Sequence, residues 1–142
     1  MNKIRKFIKD DIDDVIQIWY SSSVDTYKFV DEMHWEKIKK EVRDRFLNSN
    51  IYVYDEDNIV KAFILINGQY IDELYVLKEY RLNGLGKKLL DFIKSNNNEL
   101  LLNVFQKNTN AIEFYKKNEF KIIEENVEDY TREKGYLMKW KR

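Results

Sequence analysis

The chain has 142 residues, 44% of them hydrophobic and 15% aromatic, which suits one folded domain over residues 1–142 with a real core and excludes a disordered polymer. Lys plus Arg (25) balances Asp plus Glu (25), whereas a general nucleic-acid binder carries a basic excess. The absence of cysteine, with a single histidine, excludes disulfides, thiolate metal sites and a Cys nucleophile and leaves no metal site expected.

The longest apolar run, Ala62 to Ile66, is far short of a membrane span. The N-terminal stretch Met1 to Phe7 has basic residues but no apolar segment of signal-peptide length, so a cytoplasmic protein with no membrane contact is expected. Proline is absent, and turns fall to Gly, Asn and Asp.

Ile4 to Ile8 reads as a first strand. Asp10 is placed to cap a helix, with Asp11, Asp13 and Asp14 in the first turn, where the helix dipole favours negative charge. Ile12, Val15, Ile16 and Trp19 recur at helical spacing until Ser21-Ser22-Ser23 breaks the period. A loop from Val24 to Met33 leads to a second helix with Trp35, Ile38, Val42 and Phe46 on its buried face. Ile51 to Tyr54 and Ile59 to Ile66 read as strands joined through Asp55-Glu56-Asp57-Asn58. Asn67-Gly68 signals a hairpin into a third antiparallel strand, Gln69 to Leu77. Leu85 to Lys94 is helical, and Leu100 to Val104 is a buried strand parallel to the preceding one across that helix. A helix from Ala111 to Lys117 follows, and strands Phe120 to Ile123 and Gly135 to Trp140 close the sheet around a charged loop.

The most informative stretch is Arg81-Leu82-Asn83-Gly84-Leu85-Gly86, between a strand and a helix. The first N–H groups of a helix have no intrahelical partner, and the positive end of its dipole adds to them, so this turn is an anion site. Gly84 and Gly86 lack a Cβ, which lets a phosphate approach the backbone. A dinucleotide fingerprint needs a further glycine where Leu89 stands, and a P-loop needs Ser or Thr where Lys88 stands.

The pattern that remains, Arg/Gln-x-x-Gly-x-Gly/Ala, resembles that of the GNAT superfamily of acetyl-CoA-dependent N-acetyltransferases. A second segment, Leu102 to Tyr115, carries the family's Asn, Ala and Phe-Tyr pair as Asn108, Ala111, Phe114 and Tyr115. The β-α-α-β-β-β-α-β-α-β-β order is also the family's, over the whole chain, and the likeness extends to its small single-domain bacterial lysine acetyltransferases. The resemblance implies an α/β GNAT fold with a mixed central sheet of about seven strands, antiparallel in its first half with a splayed parallel pair at the centre, and about four helices. It implies transfer of acetyl from acetyl-CoA, as co-substrate, to a primary amine of a protein lysine or a small molecule, by direct attack in a ternary complex. A non-catalytic acyl-CoA-binding or sensing module is the alternative. A DNA-associated role, suggested by Lys87-Lys88 and the tail Lys139-Trp140-Lys141-Arg142, is set aside because the net charge is zero. Monomer and homodimer both stay open.

Carried onto this chain, the resemblance assigns the coenzyme to Arg81, Leu82, Asn83, Gly84, Leu85, Gly86 and Lys87 around the diphosphate. Leu74 and Val76 offer a strand edge to the pantetheine arm, and a backbone N–H near Leu77 serves the oxyanion. Asn108 reads either as an N-cap or as a ligand-facing group, and Tyr115 as the acid that protonates the leaving thiolate. The carboxylate that many members place on the strand is replaced here by Tyr70, which is assigned to the acceptor channel or to ordering a water. By period-two alternation Asp72 shares the face of Tyr70 and Glu73 takes the other, with Glu73 the candidate for a water-mediated base. Tyr27 and Phe29 are candidates for acceptor contacts, and His34 is more often inert than catalytic at such a place. Near the end of the last helix, Glu119 stands where the family usually has Gly, and Asn118 is expected to take the left-handed cap by a one-residue shift.

Overall fold

The computed structural model describes residues 3–142; Met1 and Asn2, the start of the N-terminal stretch considered above, lie outside them. One seven-stranded sheet runs in the order β1-β2-β3-β4-β5-β7-β6. Its strands are β1 (Ile4–Lys6), β2 (Asn50–Glu56), β3 (Ile59–Asn67), β4 (Tyr70–Val76), β5 (Glu99–Phe105), β6 (Lys121–Val127) and β7 (Lys134–Lys141). The helices are α1 (Ile12–Thr26), α2 (Glu32–Leu47), α3 (Leu85–Lys94) and α4 (Thr109–Lys117). All neighbours pair antiparallel except β4 and β5, which are parallel across α3. The architecture is the expected mixed α/β sheet with its parallel pair at the centre.

The sheet is covered on both faces, which explains why β3 is buried continuously from Val60 to Ile66 rather than alternately. On one face α3 places Leu85, Leu89, Leu90 and Ile93 against Ile64, Ile71, Leu100 and Leu102. On the other, α1 and α2 place Val15, Ile18, Trp19 and Phe46 against Val53, Phe63 and Leu65.

Local details depart from the sequence expectation where tertiary bonds win. Asp10 is no cap: Lys9–Asp11 forms a 3-10 turn and α1 starts at Ile12. The carboxylate of Asp11 is used by the Arg5 guanidinium (2.8 and 2.9 Å) and the Ile8 N–H (2.8 Å). The serines do not stop α1, which runs to Thr26; the Ser21 hydroxyl bonds back to the Gln17 carbonyl (2.8 Å), and Ser22 and Ser23 are buried. After α4 it is Glu119, not Asn118, that adopts the left-handed conformation (φ 73°). The Phe120 N–H then bonds to the Tyr115 carbonyl (2.9 Å) and the Glu119 N–H to Lys116 (3.1 Å), the paired bonds of a Schellman ending.

Candidate active site

The β4–β5 ladder runs through Tyr70↔Leu101 and Ile71↔Leu102 and goes no further. Beyond it the strands part, opening a cleft of about 1050 Å³ bounded by β4, β5, the turn before α3, and α4. That is the upper end of the range for ligand clefts. Leu77 donates its N–H to Lys61 on β3 (2.8 Å). By the alternation of an antiparallel ladder, the N–H and C=O of Val76 and Leu74 therefore face the cleft. The Leu77 N–H itself is thus committed to β3, and the cleft-facing N–H nearest to it is that of Val76. Leu74 and Val76, by contrast, turn their strand edge to the cleft, with the Val76 carbonyl taken by Arg81.

The turn before α3 leaves backbone N–H groups at the helix start without intrahelical partners. Gly84 is left-handed (φ 79°) at the helix N-cap, and no atom lies within 4 Å of where its Cβ would be. The first helical bond runs from the Lys88 N–H to the Gly84 carbonyl (3.0 Å), so the N–H groups of Leu85, Gly86 and Lys87 precede it. Gly86 has a different reason for being glycine: a Cβ there would sit 3.2 Å from Cζ of Phe114. Leu82 is fully exposed and left-handed (φ 67°), and the Asn83 amide donates to the Tyr80 carbonyl (3.3 Å). Arg81 braces the loop, donating from Nε to the Val76 carbonyl (3.1 Å) and from Nη1 to Asp25 at the end of α1 (3.2 Å). Its guanidinium is committed within the protein, as is Lys87, paired with Asp91 at 2.7 Å.

The catalytic candidates converge through a feature that alternation alone does not reveal. Between β3 and β4 the register shifts from Ile66↔Ile71 to Leu65↔Glu73, so Asp72 is the extra residue of a β-bulge. The bulge resets the faces of the strand. Leu74 and Val76 pack with the α3-side core, while Tyr75 and Leu77 pack beneath α1 and α2. Glu73 thereby falls on the same side as Tyr70, correcting the expected split, and both Asp72 and Glu73 come within reach of Arg45 on α2 (3.6 and 3.8 Å).

Glu73 Oε2 is buried without a hydrogen-bond partner, and burial pushes the carboxyl up to about 8, against the opposing pull of Arg45. Tyr115 on α4 is buried against Phe114 and Phe120 (ring centroids 5.1 and 5.4 Å). Burial, with Tyr27 and Glu73 nearby, holds its phenol well above the ordinary value. The Tyr70 hydroxyl accepts from Asn103 on β5 (2.6 Å), and Asn103 in turn accepts from Asn126 (2.6 Å). The Asn108 side chain caps α4 by accepting from the Ala111 N–H (3.2 Å), and the residue also lines the cleft.

Tyr27 and Phe29 sit in the α1–α2 loop against Phe105 (5.1 and 5.4 Å), and the Tyr27 and Tyr75 hydroxyls are 3.3 Å apart. His34 lies outside the cleft, stacked between Trp35 and Tyr130 (4.8 and 4.5 Å) on a second groove of about 420 Å³. Sequence reasoning missed Arg45, Asp25 and Tyr75, which lie outside both motifs and carry no local signal, and Asn103, which lies within the second motif but whose role toward Tyr70 only the fold exposes. Among the described residues no cluster of His, Asp or Glu could hold a metal ion, and no helix is long and apolar enough to cross a membrane.

Comparison with known proteins bears on the family and the fold. The chain is 27% identical to the peptidyl-lysine N-acetyltransferase YiaC of Escherichia coli K12 over 96% of its length and 95% of that protein. Its fold superposes on the solution structure of apo YjaB from Escherichia coli with a TM-score of 0.87, at 25% identity and covering 96% and 95% of the two chains. It superposes on the PaiA N-acetyltransferase of Thermoplasma acidophilum, solved with coenzyme A, with a TM-score of 0.82 at 24% identity, covering all of both chains. The family model for the acetyltransferase (GNAT) domain matches residues 47–122, and the chain belongs to that family.

Proposed function

We propose that this GNAT acetyltransferase acetylates the ε-amine of protein lysines in the cytoplasm, with Glu73 as base and Tyr115 as the donor to sulfur. Acetyl-CoA, when bound, supplies the activated acetyl thioester. The observation that carries the reading is that Glu73 and Tyr115 line one cleft where β4 and β5 part, and that the first residues of α3, Leu85 to Lys87, line the same cleft.

The residues divide the work in a way their surroundings explain. N–H groups of Leu85, Gly86 and Lys87 take the diphosphate, and the open edge at Leu74 and Val76 aligns the pantetheine arm as an added strand would. The Leu74 N–H, turned into the cleft, is placed to donate to the acetyl carbonyl oxygen as negative charge gathers there. A lysine ammonium (ordinary pKa about 10.4) must lose a proton before it can attack, and a carboxylate raised to about 8 is a far better acceptor than one at 4.5. Tyr115 stays protonated throughout the working range and donates its hydrogen bond to the sulfur as the C–S bond breaks. Tyr70, pinned by Asn103, and Tyr27 with Phe29 shape the acceptor's approach.

A non-catalytic binding module drew its support from the missing carboxylate at position 70. The bulge offers Glu73 on the same face instead, and that support falls away. The test is release of CoA thiol from acetyl-CoA with lysine-containing peptides beside spermidine and free amino acids. Turnover on peptides is expected, and no turnover on any of the amines would overturn the reading.

A further inference from the structure

We infer that Arg45 is a positioning residue that holds the seat of the acceptor's cation: its guanidinium guards the reachable oxygen of Glu73 and gives way when a cationic amine arrives. The inference deepens the lysine-acetyltransferase reading and rests on it. Glu73 Oε2 is sealed in the interior, and the other oxygen, Oε1, faces Arg45 Nη2 at 3.8 Å. An amine that hands its proton to Glu73 therefore does so at the atom Arg45 faces.

The contact is built to be exchanged. At 3.6 Å to Asp72 and 3.8 Å to Glu73 the guanidinium is beyond hydrogen-bond distance of both carboxylates. Arg5 shows the contrast within the same fold, gripping Asp11 with two nitrogens at 2.8 and 2.9 Å. Arg45 is 47% exposed and stands in the last turn of α2, where it lines the second groove with His34, Ile38, Glu41, Phe105 and Tyr130. That groove offers apolar side chains to a methylene chain, and Arg45, which lines it, is the residue that also faces the Asp72–Glu73 pair. Glu41, one turn earlier on the same helix face, can take the displaced guanidinium as an i,i+4 partner. The titratable groups around Glu73 are Asp72 beside it, Arg45 from α2, and the phenols of Tyr27, Tyr70, Tyr75 and Tyr115. Arg45 is the cation among them, so its removal acts directly on the base.

The experiment is steady-state kinetics of wild type, Arg45→Met, Arg45→Gln and Arg45→Lys with acetyl-CoA and a lysine peptide between pH 6 and 10, with circular dichroism to confirm folding. Two uncharged variants are used so that a packing defect in one does not hide the effect. Both should move the acidic limb of kcat/KM upward by about one pH unit, since an opposite charge at this range lowers a carboxyl by that order. Both should also lower KM for the peptide several-fold at pH 9.5, where Glu73 is ionised in every form, with KM for acetyl-CoA unchanged. Arg45→Lys, which keeps the charge, should keep the limb in place. Folded uncharged variants whose limb and peptide KM match wild type would overturn the inference while leaving the function reading intact, and so would a raised peptide KM. If wild type turns over no amine, both readings fall.

Discussion

Replacing Glu73 with glutamine keeps the side chain's shape and removes its charge, so it isolates the one ionisation on which the proposed chemistry depends. In the folded protein the carboxyl titrates near 8, against 4.5 for an unperturbed group. Between those values the native state holds a proton that the unfolded chain has released. Glu73 therefore stabilises the fold fully below pH 4.5, and that contribution is lost as pH rises through 8. The interval of about 3.5 pH units corresponds to about 5 kcal/mol at most. That figure already contains the pull of Arg45, and relaxation and water around an ionised buried carboxylate reduce it further, so we expect about half of it, 2–3 kcal/mol. Glutamine does not titrate. Glu73→Gln should therefore match wild type at pH 5 and exceed it at pH 9 by about 2 kcal/mol, a melting-temperature gain of about 7 °C. Thermal melts at pH 5, 7 and 9 measure this directly. The same variant should lose the acidic limb of kcat/KM and about a hundredfold in rate. A stability difference that is the same at all three pH values, or one that favours wild type at pH 9, would refute the reasoning.

Other consequences are equally concrete. Tyr115→Phe should lower kcat by about a hundredfold with KM for acetyl-CoA nearly unchanged; a fully active variant would remove the phenol from the mechanism. Gly86→Ala puts a methyl 3.2 Å from Phe114 Cζ, so acetyl-CoA affinity measured by calorimetry should fall about tenfold, and adding Phe114→Leu should restore it. Unaltered affinity in the single variant would show that the cradle tolerates the methyl. Glu119→Gly relieves a left-handed non-glycine residue and should raise stability by about 1 kcal/mol, or about 3 °C; an unchanged melting temperature would show that the ending carries no strain.

What could be read in the sequence was what is encoded locally. The Gly84–Gly86 turn, the apolar face of α3 and the Asn108 cap each follow from residues within a few positions of one another, and each stands where expected. The bulge at Asp72 could not be read, because alternation continues silently through an extra residue and only the pairing with β3 exposes it. That one residue decides whether Glu73 lies on the same side of the sheet as Tyr70. Arg45 could not be read either: it is remote from Glu73 in sequence and meets it only because α2 packs over β4. The serines of α1 misled for the opposite reason, since burial of Ser22 and Ser23 carried the helix past a local signal to stop. Asp11 likewise stands at the N-cap of α1 but gives its carboxylate to Arg5 rather than to the helix.

The most direct measurement is the crystal structure of the protein grown with acetyl-CoA. The diphosphate should lie within about 3 Å of the backbone nitrogens of Leu85, Gly86 and Lys87, with the thioester between β4 and β5 and its sulfur within hydrogen-bond reach of the Tyr115 hydroxyl. Density for the coenzyme outside the cleft, or a sulfur turned away from both Tyr115 and Glu73, would contradict it.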